Sequence, residues 1–486
     1  MSRLWKLLAL VFVVKCVTAV AIVYAGIGLM PDEAQYWTWS QALSYGYYSK
    51  PCGIAWQIAF GTHFFGDTEF GVRFGALILS FFSPIALYFL AYNTARSDRV
   101  AFWAAALFAL SPLGIISGLL ATTDCAYILF WTVACALFAK DLSLERPTSF
   151  AALALVIAIG AQWKWPIYAV WIPIMLFRPE KRALYGVALS LLGLIPSLVW
   201  NLEHDFSTFR HVGTSVQPTS VAAANPGSFV LAQFAILSPL LGVLLVLAWS
   251  AIVRSFKKAL CAERFCVVTT GLFFGAVLAM SFFEKVQANW AVAAYPTAFA
   301  LLGPYLERLR RGLLWAKLAG LVSILFVLIG FLLPRLPIPL AKNPWKEGLG
   351  WDQLAGALEE SGYSPEQHFL FSDRYQMTSL LSFYGLEQKR AYFFNIKALR
   401  KNQFSYWPGM PEKELGRSGF FVEVVTNRDP EAATRDFQRE LEPYFFTVRT
   451  MSPQVLMQLD GKAVKTAIIL FCEQYNGKVP AETSKY

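Results

Sequence analysis

The sequence predicts a mainly helical polytopic membrane protein that ends in a small mixed α/β domain. Three observations carry this. Of 486 residues, 56% are apolar and only 15% are charged, a composition that soluble domains do not reach. Apolar runs long enough to cross roughly 30 Å of hydrocarbon recur along the first two thirds of the chain. The pattern then stops at a stiff stretch containing Pro334, Pro337, Pro339 and Pro344, after which polar and charged residues become frequent.

The apolar runs fall near residues 5–29, 70–92, 100–118, 121–139, 183–200, 228–253, 264–283, 288–304 and 312–333. A longer run at 149–177, broken by WKWP at 163–166, reads as two shorter crossings joined near Trp163. The expectation is about eleven spans. The first has a basic start and leads into an acidic loop, and it reads as an uncleaved signal anchor.

The net charge of +10 is a property of loops and implies no nucleic-acid partner. With a cytoplasmic N-terminus, the inner loops hold Arg96 and Arg99, Lys140 and Arg146, Arg178, Lys181 and Arg182, and Arg254, Lys257, Lys258 and Arg264, then Arg308, Arg310 and Arg311. Every inner loop is therefore basic, as the positive-inside rule requires. An odd span number then puts residues 335–486 outside the cytoplasm, on the same side as the loop at 30–69, with residues 1–334 forming the membrane part. In the outer part WDQLAGALEES has helical spacing, while HFLFSD, GFFVEVV, YFFTVRT and AIILFCEQY read as strands. Seven scattered cysteines without paired spacing indicate neither a metal site nor a disulfide framework.

The outer ends of the spans carry the chemistry. PDEAQYWTWSQALSYGYYSKP at 31–51 places Asp32 and Glu33 just after the first span and Lys50 at its far end. Between them Tyr36, Trp37, Trp39, Tyr45, Tyr47 and Tyr48 read as a belt at headgroup level. An acidic start and a basic end held outside one span suit anionic lipid chemistry. Asp124 lies at the outer end of another span, where an ionised carboxylate is costly unless paired or wetted. Lys164 sits near the break in the 149–177 run, where it either touches phosphate or serves as counter-ion to Asp124. His204 and Arg210 lie on another outer loop, and Asp205 beside them caps a helix or pairs with Arg210.

DEAQYWTWSQALSYGYYSKP, FGDTEFGVR at 65–73, LATTDCAYILFW at 120–131, WNLEHDFSTFR at 200–210 and QANWAVAAY at 287–295 together resemble one bacterial family. They are similar to the GT-C glycosyltransferases of the protein O-mannosyltransferase type, which include the lipid A aminoarabinose transferase and rhizobial galacturonosyltransferases. The resemblance implies the GT-C fold and an inverting transfer of sugar from a polyprenyl-phosphate carrier to an envelope glycolipid, glycan or protein. It implies that Asp32 is a general base or orienting carboxylate, with Glu33 and Asp124 beside it. Lys50, Lys164, Arg210 and His204 would bind the donor phosphate. Cys52 departs from the second proline that many relatives carry. Arg73 is expected to anchor the chain or meet lipid, Asn289 and Trp290 to line the cavity, and Asp373 and Arg374 to form a local ion pair.

No cofactor is expected beyond the lipid-linked donor, although Asp32, Glu33 and Asp124 could offer oxygen ligands to a hard cation. A nucleotide-sugar enzyme is disfavoured by the lack of a Gly-rich strand-to-helix unit. The alternative from another class is a transporter or flippase of lipid-linked sugars. Against it, the suspect residues collect at the outer edge and no halves repeat.

Overall fold

A computed structural model describes residues 2–215, 224–426, 428–481, 483 and 485. Six helices are long and apolar enough to cross a membrane, and two further pairs qualify when each bent pair is taken as one span. The remaining three expected crossings, two at 149–177 and one at 288–304, are covered by shorter helical pieces, Phe150–Gly160, Trp165–Phe177 and Tyr295–Arg308.

The bends have local causes. At Ser111 the helix Asp98–Leu110 stops, the serine hydroxyl accepts the amide of Gly114, and Pro112 starts the next helix at a 56° angle. Ser238 has a φ of +73° ahead of Pro239, and the chain turns there by 106°. A proline opens a helix well because its missing N–H has no partner in the first turn. The bundle centre is packed through small residues. Ala101, Ala104 and Ala105 are fully buried, and Gly303 lies so close to Val100 that a Cβ would meet its backbone oxygen at 2.8 Å. Close backbone approach is how helices associate in lipid, where hydrophobic burial supplies no drive.

Helix Glu69–Ala95 is the longest, with 27 residues, and packs against Thr123–Ser143. Thr68 caps its start by accepting the amide of Gly71 at 3.0 Å. The two helices bring Arg73 and Asp124 to the same end of the bundle, where the helix Pro31–Ser40 also lies.

Beyond Leu333 the chain folds into a six-stranded sheet. The strands are β1 (Phe369–Ser372), β2 (Tyr392–Phe393), β3 (Gly419–Val425), β4 (Phe445–Thr450), β5 (Gln454–Leu459) and β6 (Lys462–Tyr475). Their order is β2-β1-β3-β6-β4, parallel from β2 to β3 and antiparallel at β6, whose first half pairs with β5. Four strands match the sequence expectation; β2 and β5 were not expected. Side chains alternate across the sheet. Phe369, Phe371 and Phe421 face a core closed by Phe437 of the helix Pro430–Leu441. Leu370, Phe420 and Val422 face the helix Tyr375–Tyr384.

That second core does not stop at the sheet. It runs on into Tyr36, Trp37 and Trp39 of the helix Pro31–Ser40 that follows the first span. Trp37 meets Phe383 edge-on at 4.9 Å, and Trp39 stacks on Tyr47 at 4.7 Å. The expected headgroup belt is thereby corrected: Tyr36, Trp37, Trp39, Tyr47 and Tyr48 are all buried, and only Tyr45 of the six is exposed. The rings weld the membrane part to the C-terminal domain. Polar clasps reinforce the weld, with the Tyr384 hydroxyl donating to Glu69 at 2.5 Å and accepting the Leu29 amide at 2.6 Å.

Candidate active site

Asp32 and Glu33 open the helix Pro31–Ser40, and consecutive helix positions point in different directions. Glu33 turns inward and is fully buried against Arg73, whose side chain is equally buried. Its Oε1 accepts Arg73 Nε at 2.9 Å and the amide of Ala121 at 2.8 Å. Its Oε2 accepts Arg73 Nη2 at 2.7 Å and the amide of Met30 at 3.0 Å. Arg73 also donates to the carbonyls of Ile27 and Gly28. Four hydrogen bonds occupy this carboxylate, and none of its surface opens to a cavity. The expected catalytic or cation-binding role of Glu33 is therefore replaced by that of a clamp joining three segments. Arg73 anchors, as expected, and meets protein instead of lipid.

Asp32 turns outward. It is exposed to solvent, yet protein encloses it on most sides, and burial raises its pKa above the ordinary carboxylate value. Lys50 and Arg400 oppose that rise and Glu33 adds to it. Lys50 is held by a tight turn in which Gly46 bridges Pro51 and the Tyr47 amide donates to the Lys50 carbonyl at 3.1 Å. Its ammonium is pushed below the usual lysine range by burial and by Lys164, while Asp124 and Asp32 favour the charge.

The turn is pinned to the break in the 149–177 run. Gly53 donates to the Gln162 carbonyl at 2.7 Å, and a Cβ at Gly53 would sit 2.6 Å from that oxygen. Glycine is required by this contact. Trp163 donates to Gln57 at 2.9 Å, and Lys164 then reaches Asp124 at 2.5 Å. The other Asp124 oxygen accepts Asn289 Nδ2 at 2.6 Å. Lys164 is thus the counter-ion of Asp124, and Asn289 is part of the same cluster. Tyr36 stands among Asp32, Asp124 and Tyr375, and burial with their charges keeps its pKa well above the ordinary phenol value. It stays a neutral hydroxyl, able to donate.

The two donor-phosphate candidates of the 200–210 loop separate from this cluster. His204 lies flat on Trp200 with ring centroids 4.0 Å apart, and its Nδ1 meets the Trp200 carbonyl at 2.7 Å. That is a packing role. Arg210 is exposed on the helix Ser207–Ser215. Its neighbour His211 contacts Arg400 at 3.0 Å and packs on Tyr48. Asp373 and Arg374 do form ion pairs, but with Lys397 and Glu423. Among the described residues no group of three or more His, Cys, Asp or Glu side chains converges as a metal site would require.

Sequence reasoning missed Tyr36, Tyr375 and Arg400 as site residues. Tyr36 was visible as one aromatic among six, with nothing local to set it apart. The other two come from the outer part, more than 300 residues from Asp32, and no local pattern links them to it.

Helices that gather a mixed-charge cluster at one end of a bundle, against a small sheet domain, form an architecture shared with GT-C membrane proteins. Residues 49–200 match the dolichyl-phosphate-mannose-protein mannosyltransferase family, in line with the resemblance to GT-C enzymes of the protein O-mannosyltransferase type. It is 28% identical over 339 residues to the lipid A galacturonosyltransferase RgtD of Rhizobium johnstonii, covering 66% of this chain and 70% of that protein. It is 26% identical to the undecaprenyl phosphate-alpha-4-amino-4-deoxy-L-arabinose arabinosyl transferase of Pseudomonas aeruginosa, covering 58% of this chain and 56% of the relative. The chain thus spans little more than half of the second relative. Its fold matches the crystal structure of ArnT from Cupriavidus metallidurans bound to undecaprenyl phosphate, with a TM-score of 0.61 at 14% identity over 96% of this chain and 97% of that one. The protein is a multi-pass inner-membrane enzyme, and the transporter alternative falls away.

Proposed function

We propose that this enzyme moves a sugar from a polyprenyl-phosphate carrier to an envelope glycolipid, glycan or protein, with inversion, on the extracytoplasmic face. The observation that carries the reading is Asp32, a solvent-reached carboxylate with a raised pKa, set beside Lys50 at the mouth of a membrane bundle. The names of the relatives supply the substrate class: lipid A in one and undecaprenyl phosphate in the other. The basic loops support a cytoplasmic N-terminus, with the site and the C-terminal sheet on the far side.

In this mechanism the acceptor oxygen attacks the anomeric carbon as the bond from that carbon to the phosphate oxygen breaks. The electron pair stays on the phosphate, whose growing charge Lys50 and Lys164 offset. Asp32 takes the proton of a hydroxyl acceptor. Where the acceptor is an ionised phosphate, Asp32 orients it instead. Asp124, bound on both oxygens, positions Lys164. The apolar cavity of about 530 Å³ lined by Leu245, Trp249, Phe274 and Tyr295 offers room for part of the carrier's tail.

The test is transfer of radiolabelled sugar from a panel of polyprenyl-phosphate sugars to extracted envelope lipids and proteins, comparing wild type with Asp32→Asn. Transfer by wild type and a drop of about 10²- to 10⁴-fold in the variant is expected. Equal transfer by both would remove Asp32 from the mechanism.

A further inference from the structure

Arg400 belongs to the outer part but is built into the membrane part from two sides. The Gln403 side chain accepts the amide of Tyr48, in the turn that carries Lys50, at 2.7 Å. The Tyr406 hydroxyl is hydrogen-bonded to Ser207, at the start of the helix that carries His211. Between these stitches the Arg400 guanidinium is held by neutral or weakly basic groups. Its Nη1 faces the His211 ring at 3.0 Å, its Nη2 donates to the Tyr375 hydroxyl at 3.2 Å, and it lies 5.5 Å from the centre of the Tyr375 ring.

Two features make this arrangement unfinished. A guanidinium has five N–H donors in a planar fork, and these contacts engage only part of them. Among the described residues no carboxylate lies within ion-pair distance of Arg400, whereas Arg374, Arg417, Arg428, Arg435, Arg439 and Arg449 each have one, and Arg335 and Arg390, which also lack one, are exposed. A half-buried cation without a counter-ion carries an unrecovered desolvation cost, and an oxyanion from a ligand would remove it. Arg400 acts at longer range on the Asp32 carboxylate, whose charge it favours.

In the proposed mechanism Lys50 and Lys164 already supply two cations for one leaving phosphate. A third cation, delivered by the C-terminal domain, is then left for the other reactant. We propose that Arg400, oriented by Tyr375 and His211, binds an oxyanion carried by the acceptor and thereby positions the attacking oxygen at Asp32. The inference rests on the glycosyltransferase reading and adds an acceptor class to it: molecules with an anionic group beside the nucleophile.

The experiment uses the full chain in nanodiscs and reads three quantities for wild type, Arg400→Gln, Arg400→Lys and Lys50→Gln. They are affinity for undecaprenyl phosphate, the acceptor KM with envelope lipid extract, and inhibition of transfer by inorganic phosphate. For Arg400→Gln the acceptor KM should rise roughly 10- to 100-fold, in line with loss of a charged hydrogen bond. Phosphate should compete with acceptor in wild type and lose that effect in the variant, while undecaprenyl phosphate binds as before. Arg400→Lys should fall between the two. The proposal is overturned if Arg400→Gln weakens undecaprenyl phosphate binding as Lys50→Gln does, because the oxyanion is then the donor's. It is also overturned if acceptor KM and phosphate inhibition stay at wild-type values, or if both Arg400 variants lower the melting temperature enough to account for the loss. A wild type that transfers nothing from any donor overturns the enzymatic reading itself, a result distinct from an active wild type in which Arg400 is silent.

Discussion

The corner around Glu33 and the pocket around Asp32 begin one residue apart and differ in every physical respect. At Glu33 the carboxylate meets an arginine and two backbone amides and is closed off from solvent. At Asp32 the carboxylate has cations at longer range and an open side. The first arrangement satisfies its charges and so has nothing left to offer a substrate. The second is deliberately incomplete, and an incomplete electrostatic site is what can bind and react. Adjacent acids in a sequence therefore need separate accounts.

Truncating each acid separates the two corners most directly. Glu33→Ala leaves the Arg73 guanidinium buried with only the carbonyls of Ile27 and Gly28. Removal of one partner from a buried pair costs about 3–5 kcal/mol, so a large drop in melting temperature in nanodiscs is expected. Asp32→Ala removes a group that burial already disfavours in its charged form, and its melting temperature should stay near or above wild type. Similar losses in the two variants would erase the distinction.

A smaller effect sharpens the open side. Lys164→Met should lower kcat by about 10²-fold, the order found when one transition-state donor is lost. Asp124→Asn frees Lys164 from its 2.5 Å partner while Asn289 remains. If Asp124 acts only by placing Lys164, the double variant should be no worse than Lys164→Met alone. Losses that multiply would give Asp124 an independent role.

Much of this was legible from the chain, and the limits are physical. Long apolar helices announce themselves because lipid demands both length and composition, and four strands of the outer sheet follow from aromatic and β-branched runs. Asp32, Lys50, Asp124 and Lys164 stood out as charges at span ends. The rings from Tyr36 to Tyr48 were misplaced because a ring suited to a headgroup layer is equally suited to a core. What decides is the helix Tyr375–Tyr384 arriving over them. Glu33 was grouped with Asp32 because its partner, 40 residues on, resembled a span-end anchor. On the 200–210 loop the charge of Arg210 drew attention, whereas His211, one residue beyond the motif, is the side chain that meets Arg400.

The finest test is the acid limb of the pH profile, where the open pocket predicts a shift of known sign. Burial raises the Asp32 pKa, so the base is lost at a pH above the ordinary aspartate value of about 3.9. Below that point kcat/KM for a hydroxyl acceptor should fall about tenfold per pH unit. Lys50 and Arg400 each hold the pKa down, so Lys50→Gln and Arg400→Gln should each move the limb to higher pH, even at reduced rate. Lys50 itself is depressed by burial and by Lys164. The alkaline limb should therefore lie below the ordinary lysine value of about 10.4 and vanish in Lys50→Gln. Profiles of kcat/KM for these variants, taken over the range where each stays folded, check the signs. An acid limb that keeps its position when either cation is removed would mean that the titrating group is not Asp32.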